Sequence, residues 1–101
     1  MMKYELINIT ENFIKDVARL KDNKKLTVKQ KYKIRLLIKA LNNLYPLDYQ
    51  KIIMYRYFEN MRYKDIGRYL NIDYSTVKRK LNKAILNTGR LMFGFEDEFL
   101  S

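Results

Sequence analysis

The sequence predicts an all-α fold of about five helices with no substantial sheet. Gly occurs three times and Pro once in 101 residues, so the residues that mark tight turns between strands are sparse. Apolar residues recur at helical spacing along most of the chain, and no strand pair is evident. Apolar residues make up 48% of the sequence, which argues against compositional disorder and allows one compact core.

The first predicted helix covers residues 4–20 and carries an apolar stripe. A polar run over residues 21–25 then breaks the helix. We therefore divide the chain into an N-terminal helix with a polar linker, residues 1–26, and a second helical domain, residues 27–101, whose function is taken up below. Two partners fit the stripe of the first helix: the core of its own chain, and a second copy of the chain in a homodimer.

Two further helices follow the linker. Thr27 is the predicted N-cap of the second helix, whose apolar stripe ends before Tyr45-Pro46, because the residue before proline is disfavoured in a helix. Asp48 lies in the opening turn of the third helix, where the positive end of the helix dipole favours a carboxylate. This helix is predicted to run to about Phe58, before a short polar junction.

The segment from Tyr63 to Asn87 is predicted to form a helix-turn-helix, in which two short helices cross closely at a tight turn. Gly67 provides the small residue that a close crossing needs, and Asn71 tolerates the positive φ of the turn. Asp73 is the expected side-chain cap of the second helix. The expected apolar anchors of the motif are Ile66, Leu70, Ile72, Val77 and Leu81.

The charge distribution favours a polyanionic partner. The formal net charge is +10. Residues 21–39 hold eight Lys/Arg against one acid, and residues 62–90 hold eight against two. The sign reverses at the C-terminus, at Glu96, Asp97 and Glu98. The alternative interpretation of the basic blocks is a solubilising surface.

The missing residue types argue against several other classes of protein. There is no Cys and no His, so we expect no disulfide, no metal site and no cofactor, and a reducing cytoplasmic location fits. Without these residues catalysis would need clustered carboxylates, and the acids are scattered or lie in the tail, so we predict that the protein is not an enzyme. No apolar run is long enough for a membrane span, and the N-terminus lacks the apolar core of a signal peptide.

The second helix of the motif would enter the major groove of double-stranded DNA with its N-terminal residues nearest the bases. Side chains that can read base edges are predicted to do so, namely Tyr74, Ser75, Thr76 and Arg79. Lysines act as point charges and are predicted to contact phosphates, namely Lys64, Lys78, Lys80 and Lys83. For each lysine the alternative is a solvated surface position.

Residues 52–66 and 75–81 resemble region 4 of bacterial sigma-70-type factors, and the resemblance extends over residues 47–86. It implies recognition of a −35 promoter element, with Tyr74, Ser75 and Arg79 facing bases and Lys78 facing phosphate. Asn71 stands where a Gly is usual in the turn. The chain leaves no room for the region that reads the −10 element, so we do not expect a complete sigma factor.

The basic helix before Pro46 and the tail at residues 90–94 are similar to those of small phage and mobile-element regulators, namely late-gene activators and autolysin-regulator-like proteins. Together the two resemblances predict a sequence-specific double-stranded DNA-binding protein that regulates transcription, and its expected partners are DNA and RNA polymerase. One alternative is an accessory protein that marks a transfer origin, recombination site or packaging site of mobile DNA. Another is an adaptor that binds RNA polymerase and has weak affinity for DNA.

Overall fold

The computed structural model describes residues 2–94, and within this range the chain forms five α-helices and no strand, as predicted. The helices are α1 Lys3–Arg19, α2 Val28–Asn42, α3 Leu47–Ile53, α4 Tyr63–Leu70 and α5 Tyr74–Phe93. A π-helical turn, Met54–Phe58, continues directly from α3. The acidic residues Glu96, Asp97 and Glu98 lie outside the described residues.

The start of α2 follows from local side-chain chemistry. The Oγ1 atom of Thr27 accepts a hydrogen bond from the backbone N–H of Gln30 at 3.1 Å, and the Gln30 side chain accepts one from the N–H of Thr27 at 2.9 Å. This capping box satisfies two donors that the first turn of a helix leaves unpaired. The prediction of Thr27 as the N-cap is therefore confirmed.

The third predicted helix ends where expected, at Phe58, but its last turn has a different geometry. The α-helical part stops at Ile53, and the chain widens into the π-helical turn, in which the N–H of Glu59 bonds to the carbonyl of Met54 at 3.0 Å. The wider turn changes the direction of the side chains that follow Ile53. Apolar periodicity alone does not distinguish these two geometries.

One hydrophobic core joins the helices, and α1 belongs to it. Its buried members are Ile14, Val17, Leu37, Leu41, Leu44, Ile52, Ile53, Ile66, Val77, Leu81, Ala84 and Ile85. The linker after α1 therefore separates two parts of the chain that share this core. Because the buried side of α1 has its partner within the chain, the structure gives no reason to expect homodimer formation through that stripe.

A second close helix crossing holds α1 against α5. A Cβ atom built on Gly89 of α5 would lie 2.3 Å from the Oγ1 atom of Thr10 and 3.1 Å from Leu6, and both of these α1 residues are fully buried. The crossing therefore depends on the missing side chain of Gly89.

Among residues 2–94, no helix has the combined length and apolar character that a membrane span requires.

Candidate nucleic-acid interface

The turn between α4 and α5 is built around Asn71. This residue adopts the left-handed conformation, with φ 58° and ψ 47°, which asparagine tolerates better than most residues. The N–H of the next residue, Ile72, donates to the carbonyl of Gly67 at 2.9 Å and closes the end of α4. Three residues are therefore enough to pass from one helix to the next.

Gly67 allows the two helices to approach each other. A Cβ atom at this position would lie 2.7 Å from the backbone oxygen of Ile72 and 3.6 Å from Cγ2 of Val77. A backbone oxygen in a tight turn cannot rotate away as a side chain can, so any larger residue must displace the turn. The crossing that sets the direction of α5 thus depends on glycine.

The apolar anchors of the motif lie on both sides of this crossing. Ile66 and Val77 are fully buried, and Leu81 is nearly so. Leu70 and Ile72 are partly buried and pack against the core. They attach the motif to the body of the domain.

The cap at the start of α5 differs from the prediction. Asp73 is the N-cap residue and has extended backbone geometry, but its side chain makes no capping hydrogen bond. The prediction of a side-chain cap is therefore wrong. The carboxylate still lies at the positive end of the helix dipole, where a negative charge is favourable.

The N-terminal half of α5 has a clear inner and outer side. Its inner side is formed by Val77 and Leu81, and successive helical residues are about 100° apart. Ser75 and Arg79 therefore lie on the opposite side, and both are exposed. Lys83 is also exposed, one turn after Arg79. A buried face held by α4 and a polar face turned outward are what a groove-reading helix requires.

The comparison with protein families agrees with this geometry. The family model described as Sigma-70, region 4, matches residues 34–87, more than half of the chain. This chain belongs to the sigma-70 region 4 family. It is a DNA-binding helix-turn-helix domain of the kind that acts in transcription. No curated protein and no solved structure matches the chain. The family match begins inside α2 and leaves out α1.

Two tyrosines and two cations form a cluster where the helices of the helix-turn-helix begin. The rings of Tyr63 and Tyr74 meet edge to face, with centroids 6.0 Å apart. The guanidinium carbon of Arg56 lies 4.1 Å from the centroid of the Tyr63 ring. The Nζ atom of Lys78 lies 5.4 Å from the Tyr63 centroid and 4.8 Å from that of Tyr74. We call these four residues the tyrosine cluster.

The tyrosine cluster restrains two of the predicted DNA contacts. Tyr74, predicted to face bases, is already in contact with Tyr63 and Lys78. A side-chain hydrogen bond with Tyr74 raises the pKa of Lys78. The sequence pattern did not indicate the roles of Arg56 and Tyr63, because their contact depends on the π-helical turn that directs Arg56 towards α4.

Lys80 lies on the side of α5 that faces α3, where it has an acidic partner that the sequence did not indicate. Its Nζ atom lies 2.5 Å from Oδ2 of Asp48 in α3, with both side chains about one-third exposed. The ion pair partly neutralises the cation and turns it towards α3. Lys80 therefore links two helices, and its predicted contact with phosphate stays a prediction in which the phosphate competes with Asp48. The two partners are 32 residues apart, so sequence spacing gave no sign of the contact.

The remaining predicted contacts meet in an open cleft along the turn. Lys64 of α4 lines this cleft together with Thr76 and Tyr74 of α5. Arg68 of α4, which the sequence analysis did not single out, lines it as well and is exposed. Thus α4 adds two cations to the surface that the start of α5 presents.

Proposed function

We propose that this region 4 domain binds a specific double-stranded DNA sequence and thereby regulates transcription. The observation that carries the proposal is the exposed face of Ser75 and Arg79, which is directed outward by the close crossing at Gly67. In this mode the N-terminal half of α5 enters the major groove. The net charge of +10 suits a partner with a phosphate backbone.

Base reading is proposed for the residues nearest the start of α5. Arg79 has the planar fork that can donate two hydrogen bonds to guanine O6 and N7. Ser75 and Thr76 can donate to or accept from base edges, and the methyl group of Thr76 can touch a thymine methyl. Tyr74, held by the tyrosine cluster, is suited to pack on a sugar or a thymine methyl at the groove edge.

Phosphate contacts are proposed for the cations around this face. Lys78 lies on the flank of α5 within the tyrosine cluster, and Lys83 lies one turn beyond Arg79. Lys64 adds a charge from α4. These residues would fix the position and register of α5 on the duplex without reading its sequence.

The similarity of the basic helix before Pro46 and of residues 90–94 to phage and mobile-element regulators supports a finer proposal, in which the bound site lies near a promoter of such an element. A site at a transfer origin would instead identify an accessory protein of mobile DNA. Binding that requires RNA polymerase would identify a polymerase adaptor.

Selection of bound duplexes from a random library, with purified protein and no polymerase, tests the proposal. We expect one preferred sequence, and we expect Ser75→Ala/Arg79→Ala to lose that preference while the control Lys51→Ala keeps it. If about six phosphates are neutralised, the affinity should fall by about 10³ or more between about 50 and 200 mM salt. A nearly flat salt dependence, or no binding without polymerase, would contradict the proposal.

A further inference from the structure

A basic cleft beside α1 shares Arg56 with the tyrosine cluster. It is open to solvent, has a volume of about 450 Å³, and lies between the end of α1 and the π-helical turn. The cleft is lined by four cations, Lys15, Arg19, Lys21 and Arg56, and by no acidic residue. The proposed reading of bases by α5 does not use the first three. We call this feature the α1 cleft.

Two contacts hold the walls of the α1 cleft together. The hydroxyl of Tyr57 in the π-helical turn donates a hydrogen bond to Glu11 of α1. Burial, followed by this bond, raises the pKa of Tyr57. The Nζ atom of Lys21 donates to the carbonyl of Phe58 at 2.6 Å. The end of α1 is therefore fixed against the turn that carries Arg56.

Arg56 connects the α1 cleft with the helix-turn-helix. The same side chain lines a second open pocket together with Arg62, Tyr63, Lys64 and Tyr74. One side chain therefore separates the α1 cleft from the surface at the start of α4 and α5. Arg56 therefore belongs both to the surface beside the start of α5 and to the α1 cleft.

Lys15 and Arg19 of the α1 cleft can exchange their acidic partners within α1 for a phosphate group. Lys15 lies 3.8 Å from Glu11, and Arg19 lies 2.8 Å from Asp16, both within α1. The side chains of Lys15 and Arg19 are 46% and 73% exposed. Exposed ion pairs of this kind contribute little to the stability of the fold, whereas charge-assisted hydrogen bonds to phosphate are strong.

We infer that the α1 cleft binds the phosphate backbone of the same duplex that α5 reads, and so extends the DNA interface beyond the helix-turn-helix. The inference rests on the proposed function, because it adds contacts to the same complex. In this complex the DNA backbone that leaves the groove occupied by α5 passes Arg56, and its phosphates contact Lys15, Arg19 and Lys21. Since α1 lies outside the family match, this extension belongs to the part of the chain that region 4 does not cover.

The test compares two triple variants on two duplexes. Lys15→Gln/Arg19→Gln/Lys21→Gln empties the α1 cleft of three cations. Lys31→Gln/Arg35→Gln/Lys39→Gln removes the same charge from exposed positions of α2 and is the matched control. Both are titrated against the selected site in a duplex of about one helical turn and in one of about three turns, at several salt concentrations.

We expect the wild type and the α2 control to bind the long duplex more tightly than the short one. The α1 variant should lose this gain, and its salt slope on the long duplex should fall by about two to three units. Its hydroxyl-radical footprint should shorten on one side only. If the α1 variant melts early, Lys15→Gln/Arg19→Gln, which keeps the bond from Lys21 to Phe58, should show the same loss in smaller degree.

Equal losses in the α1 and α2 variants would overturn the inference, because net charge alone would then explain them. An unchanged length dependence in the α1 variant would also overturn it, while tight wild-type binding to the short duplex would leave the proposed function standing. If the wild type binds neither duplex, both proposals fail.

Discussion

The two halves of α5 have different surroundings, although they form one continuous helix. The first half buries Val77 and Leu81 and leaves the polar face of Ser75 and Arg79 exposed. The second half is buried over a wider face and packs along α1. The second half thus anchors the helix in the core, and the first half carries the candidate interface outward from that anchor.

Each half of α5 also crosses a partner helix at a glycine, but the two crossings differ in what stands opposite the glycine. Gly67 of α4 faces the backbone oxygen of Ile72, whereas Gly89 of α5 itself faces the side chain of Thr10. Backbone in a turn cannot move without changing the direction of α5. A threonine side chain can be shortened by substitution. A second substitution at Thr10 should therefore recover stability lost at Gly89, whereas no side-chain substitution should recover stability lost at Gly67.

The largest effect is expected from Gly67→Val. The branched side chain would collide with the turn, at an overpacking cost of about 1–3 kcal/mol in the free energy of unfolding. DNA binding should be lost as well, because α5 would be redirected. Thermal unfolding and a mobility shift measure the two effects. A variant with full stability and full binding would show that the crossing does not set the direction of α5.

A smaller and more local effect is expected from Gly89→Ala. The new methyl group would meet Thr10 and Leu6, and we expect a loss of about 1–2 kcal/mol in the free energy of unfolding. The folded fraction should bind DNA as the wild type does. Denaturant unfolding and titration at low temperature check these statements.

The double variant Thr10→Ala/Gly89→Ala sharpens this prediction. The Oγ1 atom of Thr10 is buried and makes no hydrogen bond, so its removal leaves no partner unpaired. We expect the double variant to be more stable than the sum of the two single changes, with a coupling of about 0.5 kcal/mol or more. Strict additivity would mean that the contact between positions 10 and 89 does not limit the crossing.

Within the first half of α5, Lys78→Ala should weaken binding without affecting specificity. Lys78 is held at the flank by the tyrosine cluster, where we place a phosphate contact. Affinity for the selected site and for scrambled DNA should fall alike, and the salt slope should decrease by about one unit. Loss confined to the selected site would assign Lys78 to base reading.

The smallest effect on DNA binding is expected from Lys80→Ala. Because its partner is Asp48, its loss should lower the free energy of unfolding by no more than about 1 kcal/mol. The salt slope should stay within the error of the wild-type value. A decrease of a full unit, equal to that of Lys78→Ala, would assign Lys80 to the phosphate-contacting set.

The sequence predicted most of the features that depend on neighbouring residues, the side-chain cap at Asp73 excepted. The capping box at Thr27 follows from residues three positions apart, and the turn at Asn71 follows from an intrinsic backbone preference. The position of Gly67 could be inferred because a crossing at that point must be close. Local pattern was therefore enough for the all-α class, most helix boundaries and the motif.

The features that the sequence did not predict depend on contacts between distant elements. In the sequence Lys80 cannot be distinguished from the other lysines of α5, and only the folded structure shows its ion pair with Asp48. Arg56 enters the candidate interface because the π-helical turn directs it towards Tyr63. Gly89 stood in an ordinary amphipathic pattern, and only the packing of α1 explains it.

The central claim, that the exposed face of the first half of α5 reads bases, is tested most directly by combining a protein change with a DNA change. In the selected site, each guanine is replaced in turn by 7-deazaguanine, which lacks the N7 acceptor. Arg79→Ala should cost about 1–3 kcal/mol on the unmodified site and little on scrambled DNA. At one guanine, wild type should lose affinity on replacement while Arg79→Ala loses nothing further. Additive losses at every guanine would contradict base reading by Arg79 and, with it, the orientation proposed for α5.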